Sequence, residues 1–329
     1  MVEQNSLRLT VSEVIRETED ACSLVFAESF AYQPGQFLTL RTGSAARCYS
    51  LCTSPHVDER PAITVKRTPG GYASNWICDN TKPGTTFDAL APAGIFTPRS
   101  LDADLLLLAA GSGITPIMSI IKSALARGAG SLTLIYANRD EHSVIFADQL
   151  RTLAERHPTR LTVIHWLESV QGLPSVPALR ALAAPTAPTE ALICGPKPFM
   201  SAARDAVDLP RARVRIERFV SLSANPFEQD APAAPTDTQP STVELSLDGS
   251  RHRLTWPAGT RLLDLLLDNG VGAPYSCREG ACSACACRLV SGEVKMLNNE
   301  VLEQEDLDDG IILACQSLPV TDLVEISYE

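Results

Sequence analysis

Residues 103–127 read ADLLLLAAGSGITPIMSIIKSALAR: a run of four leucines, two alanines, a turn carrying Gly111 and Gly113, then apolar residues at helical spacing. A short run that is apolar at every position is a strand covered on both faces. The texture repeats downstream. SLTLIYANRD precedes VIFADQLRTLAERH, LTVIHWLE precedes VPALRALAA, EALICGPKPFMSAARDAV follows, and VRIERF at 214–219 reads as a last strand. Strands buried on both faces and linked by helices imply a parallel, doubly wound α/β sheet. Upstream, residues 6 to about 100 alternate as short strands (LRLTVSEVI, CSLVFA, QFLTLRT, RCYSLC, AITVKRT) between Gly/Pro turns, with one helix at YASNWICDN. That pattern predicts a small antiparallel β-barrel. Downstream, 221–241 turns to Ala, Pro, Asp, Thr and Gln and reads as a semi-extended linker. TVELSLDG and RHRLTWP then form a predicted hairpin, and TRLLDLLLDNG a helix ending at Gly270. The expected division is 1–100, 101–220, linker 221–241 and 242–329.

The 329 residues are 45% apolar and 20% charged, enough for two or three globular cores and incompatible with disorder throughout. The longest uncharged stretch, 105–121, is short for a bilayer span and is cut by Gly111, Gly113 and Pro116, so no transmembrane helix is expected. MVEQNSLRLT has neither the basic start nor the apolar run of a signal peptide, which predicts a cytoplasmic protein. In a reducing compartment, ten cysteines point to cofactor ligation before disulfides. A net charge of −11 argues against nucleic acid or an anionic membrane as partner. From Thr242 onward 6 basic residues face 15 acidic ones, so this quarter carries −9 of the total. Such a module can steer toward a basic protein, although a plain solvated surface has the same charge.

Cys277, Cys282, Cys285 and Cys315 stand as C-x4-C-x2-C, then 29 residues, then C. This is the plant-type spacing for a [2Fe-2S] cluster, whose irons are held by four thiolates. Small residues between the cysteines let backbone N–H groups approach the sulfurs and stabilise their negative charge. Four thiolates also suit a structural zinc ion, but its usual signature repeats C-x2-C. Cys287 reads as a packed fifth cysteine. Cys22, Cys48, Cys52, Cys78 and Cys194 show no metal spacing and read as core or surface residues, and no Ser/His/Asp triad can be placed.

Arg47-Cys48-Tyr49-Ser50 closes one barrel strand, Lys66-Arg67 ends another, and Gly70-Gly71-Tyr72-Ala73-Ser74 opens a helix. Together they outline a flavin site: a guanidinium clamps a pyrophosphate, a Tyr stacks on an isoalloxazine, a Ser hydroxyl reaches its N5, and a helix start takes phosphate. Ala110–Pro116 lies between a buried strand and a helix, where a dinucleotide phosphate meets the helix N-terminus, although G-x-G-x-x-G is absent. Cys194-Gly195-Pro196 follows a later strand of the same sheet, so both loops can line one carboxyl edge. After the second strand, Asn138-Arg139-Asp140-Glu141 mixes acids that disfavour a 2′-phosphate with an arginine that favours one, leaving NADH and NADPH both open.

In this order the pieces resemble the ferredoxin–NADP reductase superfamily extended by a C-terminal plant-type ferredoxin of β-grasp fold, and the likeness covers nearly the whole chain. RCYSLCTSP, VKRTPGGYASNWICDN, AAGSGITPIMSIIKSAL, CGPKPFM, SCREGACSACAC and ILACQSLP are similar in particular to the reductase components of 3-ketosteroid 9α-hydroxylases, which are Rieske oxygenase systems. The reductase subunits of phenylacetyl-CoA epoxidases are similar too. The resemblance implies FAD bound by Arg47, Tyr49, Ser50, Val65, Lys66, Arg67, Tyr72, Ala73 and Ser74. It implies a nicotinamide nucleotide held by Gly111, Thr115, Cys194, Gly195 and Pro196, with Glu217 and Phe219 beside the flavin. Ser50, Cys194 and Glu217 are then the residues nearest the chemistry. Ser283 stands where many relatives have Gly. A related branch uses FMN with another domain order; the barrel-first order and the GGYASNW helix favour FAD. The implied function is NADH-dependent electron transfer through FAD and [2Fe-2S] to a Rieske oxygenase, with a di-iron epoxidase as alternative client. The competing class is a zinc-containing binding module without catalysis.

Overall fold

In the computed structural model, the described residues are 6–222, 225–227, 240–247 and 249–328. The chain divides into two compact units, one made of 6–42 and 47–219, the other of most of 220–328 with 43–46.

The first unit opens with β1 (Ser6–Thr18), β2 (Ala21–Phe26), β3 (Phe37–Thr42), β4 (Ala45–Ser50) and β5 (Ala62–Lys66), then α1 (Tyr72–Asn80) and β6 (Thr86–Ala93). They form one six-stranded sheet in the order β4-β3-β6-β1-β2-β5. A single bridge between Leu51, just past β4, and Ile63 in β5 joins the two ends, so the sheet curls into the expected barrel. Alternation along the strands turns Leu9, Leu24, Phe26, Leu40, Ile63 and Val65 into a common core. Ile77 of α1 plugs that core, while Tyr72 and Trp76 on the other side of the helix stay exposed.

The same unit continues with β7 (Leu105–Ala110), α2 (Ile114–Arg127), β8 (Leu132–Asn138), α3 (Ala147–Arg156), β9 (Leu161–Leu167), α4 (Glu168–Gln171), α5 (Val176–Ala183), β10 (Glu190–Cys194), α6 (Lys197–Ala206) and β11 (Val214–Glu217). The strands are parallel in the order β11-β10-β7-β8-β9. All six residues of β7 are buried, as the leucine run requires of a central strand. Separate apolar cores lie on the two faces, one around Ile117, Met118 and Ile121 of α2, the other around Phe199, Met200 and Ala203 of α6. The last strand ends at Glu217, two residues short of the expected VRIERF.

Barrel and parallel sheet are fastened along α2. Ser119 donates to the Thr53 carbonyl at 2.5 Å, Ser123 to Ser54 Oγ at 2.8 Å, and the Lys122 ammonium lies 3.3 Å from Asp58. A second tie is the buried Glu190, which accepts from Arg215 at 2.8 Å and from the Arg99 N–H at 3.0 Å.

The second unit contains β12 (Ser241–Leu247), β13 (Ser250–Trp256), α7 (Leu262–Asp268), β14 (Ala286–Ser291), β15 (Val294–Met296), α8 (Gln304–Asp308), β16 (Ile311–Leu313), β17 (Ser317–Pro319) and β18 (Leu323–Ser327). The predicted hairpin is β12–β13, and its mixed sheet runs β13-β12-β18-β14-β16 with β12 and β18 parallel. Four leucines of α7 are buried, and Gly270 closes the helix with φ +74°. Of the linker expected at 221–241, residues 223–224 and 228–239 lie outside the described residues; Ser241 already pairs with Trp256 in β12.

Candidate functional site

β7 and β10 are parallel neighbours, Cys194 standing opposite Ala109, at the point where the strand order reverses. The loops that follow them therefore leave one edge of the sheet together, the usual ligand crevice of such folds. Glycine lets them touch. A Cβ on Gly113 would stand 2.1 Å from the Cys194 carbonyl oxygen, and one on Gly195 would stand 2.9 Å from Ala110 Cβ. Gly111 takes φ +53°, and its carbonyl accepts the Tyr136 hydroxyl at 3.0 Å. Thr115 is buried and donates to the Ser112 carbonyl at 3.0 Å. No side chain caps the start of α2; the turn Gly111–Gly113 runs straight into it, and the Ile114 N–H donates to the Gly111 carbonyl. Pro196 occupies the matching N-cap position of α6.

The β10–β11 register sets Cys194 directly beside Glu217. Both are buried. Burial pushes the Cys194 thiol well above its ordinary range, and the neighbouring Glu217 carboxylate adds to this. Burial likewise pushes Glu217 up to about 8, partly opposed by the Arg218 N–H and guanidinium. Burial thus favours the neutral form of both groups. Phe219, two residues further on, leaves 49% of its surface exposed.

On the barrel, Ser50 is buried at the end of β4, with Arg47 and Tyr49 partly covered. Burial pushes the Tyr49 phenol up, against the Arg47 charge. Val65 belongs to the barrel core, which leaves its backbone, not its side chain, for a ligand to meet. Lys66 is aimed at the sheet edge: its Nζ is 3.8 Å from where a Gly111 Cβ would stand. Asp20 holds that ammonium at 3.7 Å and the Arg139 guanidinium at 3.1 Å. Arg67 turns along α1 instead, to Asp79 at 2.6 Å. Gly71 is the N-cap of α1 and makes no side-chain cap; Ala73 and Ser74 are buried, and Ser74 Oγ accepts the Thr68 N–H at 3.1 Å. Tyr72 is 58% exposed. The structure so joins Lys66 to Gly111, and Cys194 to Gly113 and Glu217. The α2 anchors Ser119, Lys122 and Ser123, and the double partner Asp20, had no signal in the sequence, because each acts across a distant contact.

In the second unit the four spaced cysteines are buried together. Contacts sort them into pairs: the Cys277 N–H points at Cys282 Sγ from 3.3 Å, and the Cys315 N–H at Cys285 Sγ from 3.5 Å. N–H groups of Glu279 and Ala281 also aim at Cys277 Sγ, at 3.5 and 3.3 Å. Hydrogen bonding from Cys282 and Cys315, then from these N–H groups, pulls the Cys277 thiol down despite its burial, and the same sharing pushes Cys315 up. Gly280 takes φ +83°, and a Cβ there would meet the Asn298 carbonyl at 2.9 Å. Arg278 and Ser283 are also left-handed, at φ +60° and +53°. Glycine suits position 283 for that reason. Two pairs of thiolate donors inside a cradle of N–H groups fit a two-iron cluster.

A curled antiparallel sheet, a doubly wound sheet and this cysteine loop define the class: a pyridine-nucleotide-dependent reductase with its own iron–sulfur module. Residues 245–320 match the family described as "2Fe-2S iron-sulfur cluster binding domain", and 107–205 the "Oxidoreductase NAD-binding domain". The chain is 54% identical, over 98% of its length and 97% of the relative's, to the ferredoxin reductase component of 3-ketosteroid-9-alpha-monooxygenase from Rhodococcus rhodochrous. It is 31% identical, over 98% and 97%, to one component of the 1,2-phenylacetyl-CoA epoxidase of Escherichia coli (strain K12). Among solved structures it resembles phthalate dioxygenase reductase, a modular structure for electron transfer from pyridine nucleotides to [2Fe-2S], with 26% identity, TM-score 0.62 and coverage of 99% and 98%. The chain belongs to the family of ferredoxin reductase components of multicomponent monooxygenases. It is an NAD-dependent oxidoreductase with FAD, NADH and a [2Fe-2S] cluster as cofactors, and an oxygenase component is its partner. Among the described residues no helix is long and apolar enough to cross a membrane.

Proposed function

We propose that this cytoplasmic chain delivers electrons from NADH to a Rieske-type oxygenase acting on a steroid. The observation that carries the reading at the site is the approach of barrel Lys66 to the Gly111 turn, because it supports a continuous ligand surface from flavin to dinucleotide. The domains are taken as 1–100 for FAD, 101–220 for NAD, 221–241 as linker and 242–329 for the cluster.

The flavin fits the residues present: an uncapped α1 start, a buried Ser50 and an exposed Tyr72 ring offer donors for phosphate, a hydroxyl and a stacking face. Arg47, Tyr49, Ser50, Val65, Lys66, Arg67, Tyr72, Ala73 and Ser74 hold it in this reading. When bound, it supplies the exchange between a two-electron hydride and the one-electron cluster. Gly111 and Thr115 receive the dinucleotide phosphates at the α2 start, and Cys194, Gly195 and Pro196 border its nicotinamide. Neutral Cys194 and Glu217 keep charge away from the reacting ring, and Ser50 donates its hydroxyl there. Phe219 would lie over the flavin face that the nicotinamide has to reach. Cys277, Cys282, Cys285 and Cys315 ligate the cluster, and the acidic 242–329 segment faces the oxygenase.

The steroid client is supported by the 54% identical relative, and the epoxidase alternative by the one at 31%. An anaerobic NADH titration followed by visible absorbance tests the chain of carriers. About three electrons, near one and a half NADH, are expected for one flavin and one cluster. Uptake near one NADH without cluster absorbance would refute the cluster assignment. Reconstitution with a ketosteroid oxygenase and with a phenylacetyl-CoA epoxidase then decides the client: NADH-coupled product from the epoxidase alone overturns the steroid reading.

A further inference from the structure

Two cysteines outside the cluster meet in the barrel. Cys22 lies on β2 and Cys78 on α1, 56 residues apart in sequence, yet their Sγ atoms stand 3.5 Å apart. The other cysteines off the cluster loop lead elsewhere: Cys48 meets Thr39 Oγ1, Cys52 meets Thr64 and the Ala62 carbonyl, and Cys194 sits beside Glu217. A disulfide needs an S–S separation of about 2.05 Å, so the two sulfurs have to close by about 1.5 Å. Cys22 is 8% exposed, and Cys78 is the more open of the two.

We propose that Cys22 and Cys78 form a peroxide-sensitive dithiol whose oxidation to an intramolecular disulfide fastens α1 to β2 and slows the flavin half of the electron chain. The functional half rests on the reading that α1 and Arg67 hold FAD. Asp79, the neighbour of Cys78, grips Arg67 at 2.6 Å, so drawing Cys78 toward β2 moves the carboxylate that orients the guanidinium.

The surroundings assign the roles. The Cys22 hydrogen bond, then the Arg67 charge, pull the Cys78 thiol down, against its burial and the Asp79 and Asp20 carboxylates. Cys22 is pushed up by its bond to Cys78 and by burial, with Glu17 adding and Arg67 opposing. Cys78, the more open of the two sulfurs, is the one peroxide reaches and so the attacking thiolate; buried Cys22 is the resolving thiol. The Cys78 sulfur attacks one oxygen of hydrogen peroxide and the O–O bond breaks; the leaving hydroxide takes a proton and departs as water, and Cys78 becomes a sulfenic acid. The Cys22 sulfur then attacks the Cys78 sulfur and the S–O bond breaks, releasing the second water. In sum two thiols lose two electrons and two protons, and one peroxide becomes two waters.

The test uses the full-length holoprotein, its flavin and cluster absorbance recorded before and after hydrogen peroxide. Alkylation, digestion without reductant and mass spectrometry should give a peptide pair linked through Cys22 and Cys78, two hydrogens lighter than the separate thiols. NADH–ferricyanide activity should fall severalfold and return with dithiothreitol. In Cys22→Ala no link forms and dimedone traps Cys78 as its sulfenic acid; in Cys78→Ala the Cys22 thiol stays free, and both variants keep their activity in peroxide. Alkylatable Cys22 in wild-type protein whose other thiols are oxidised overturns the dithiol. A link that leaves activity unchanged, or equal inactivation of Cys78→Ala, overturns the effect on the flavin half. Protein purified without flavin would sink the FAD reading separately, while the linked peptide still decides the dithiol.

Discussion

The end of β10 and the loop 277–285 each present a buried cysteine, and they treat it in opposite ways. Cys194 is fully buried beside the Glu217 carboxyl group, and burial first, then that charge, pushes the thiol up. Cys277 is as buried, but neighbouring thiols and N–H groups converge on its sulfur and favour the thiolate. Burial alone therefore does not fix the charge of a thiol; the donors aimed at it do. One region sets its cysteine beside a carboxyl group, the other aims N–H donors at its sulfurs.

The contrast can be broken most severely at the metal side. Cys282→Ala removes one of the paired thiols, and reduction of a protein acceptor such as cytochrome c should drop at least about 100-fold while NADH–ferricyanide reduction persists, since the flavin half is untouched. Loss of both activities in a folded, flavin-loaded variant would contradict that order. On the nucleotide side, Gly113→Ala drives a methyl into the Cys194 carbonyl, and because the obstacle is backbone the first unit should lose about 3 kcal/mol, read from its denaturant midpoint, with NADH KM raised.

A pH series sharpens the comparison. The folded-state value of Glu217 is raised to about 8 from 4.5, so the folded unit keeps a proton that the unfolded chain has lost. The associated stability is full below pH 4.5 and is lost as pH rises toward 8, at a slope of about 1.4 kcal/mol per unit, then levels off. Glu217→Gln should flatten that slope in urea titrations at pH 6, 7 and 8. The smallest effect is expected at the cluster loop, where Gly280→Ala places a side chain at φ +83° near the Asn298 carbonyl; about 1–2 kcal/mol of stability and part of the cluster absorbance should go.

The cysteine loop was legible because its geometry is local: Cys277, Cys282 and Cys285 are tied by covalent spacing. The glycine turn at 111–113 was legible for the same reason, sitting between a buried strand and an amphipathic helix. What spacing cannot carry is register. That Glu217 stands beside Cys194 follows from how β11 slides against β10; the family likeness put each near a reacting ring without pairing them. Cys22 and Cys78 read as unrelated core or surface residues, since their meeting depends on α1 docking against the barrel. Arg67, read as a phosphate clamp, is already engaged by Asp79, a carboxylate from the far end of the helix that follows it. Contacts of this kind come from packing between elements that are distant along the chain.

The seam along α2 has a further consequence. Ser119, Lys122 and Ser123 lie on one face of a rod about 21 Å long, and all three hold the segment that directly follows Ser50. The same rod begins at the glycine turn. Alignment between the strand end of the barrel and the edge of the sheet is thereby inherited from one stiff element instead of negotiated between loops. Surface loops of this unit are free to drift in sequence without detuning it, whereas a change in the tilt of α2 would be felt at both ends at once.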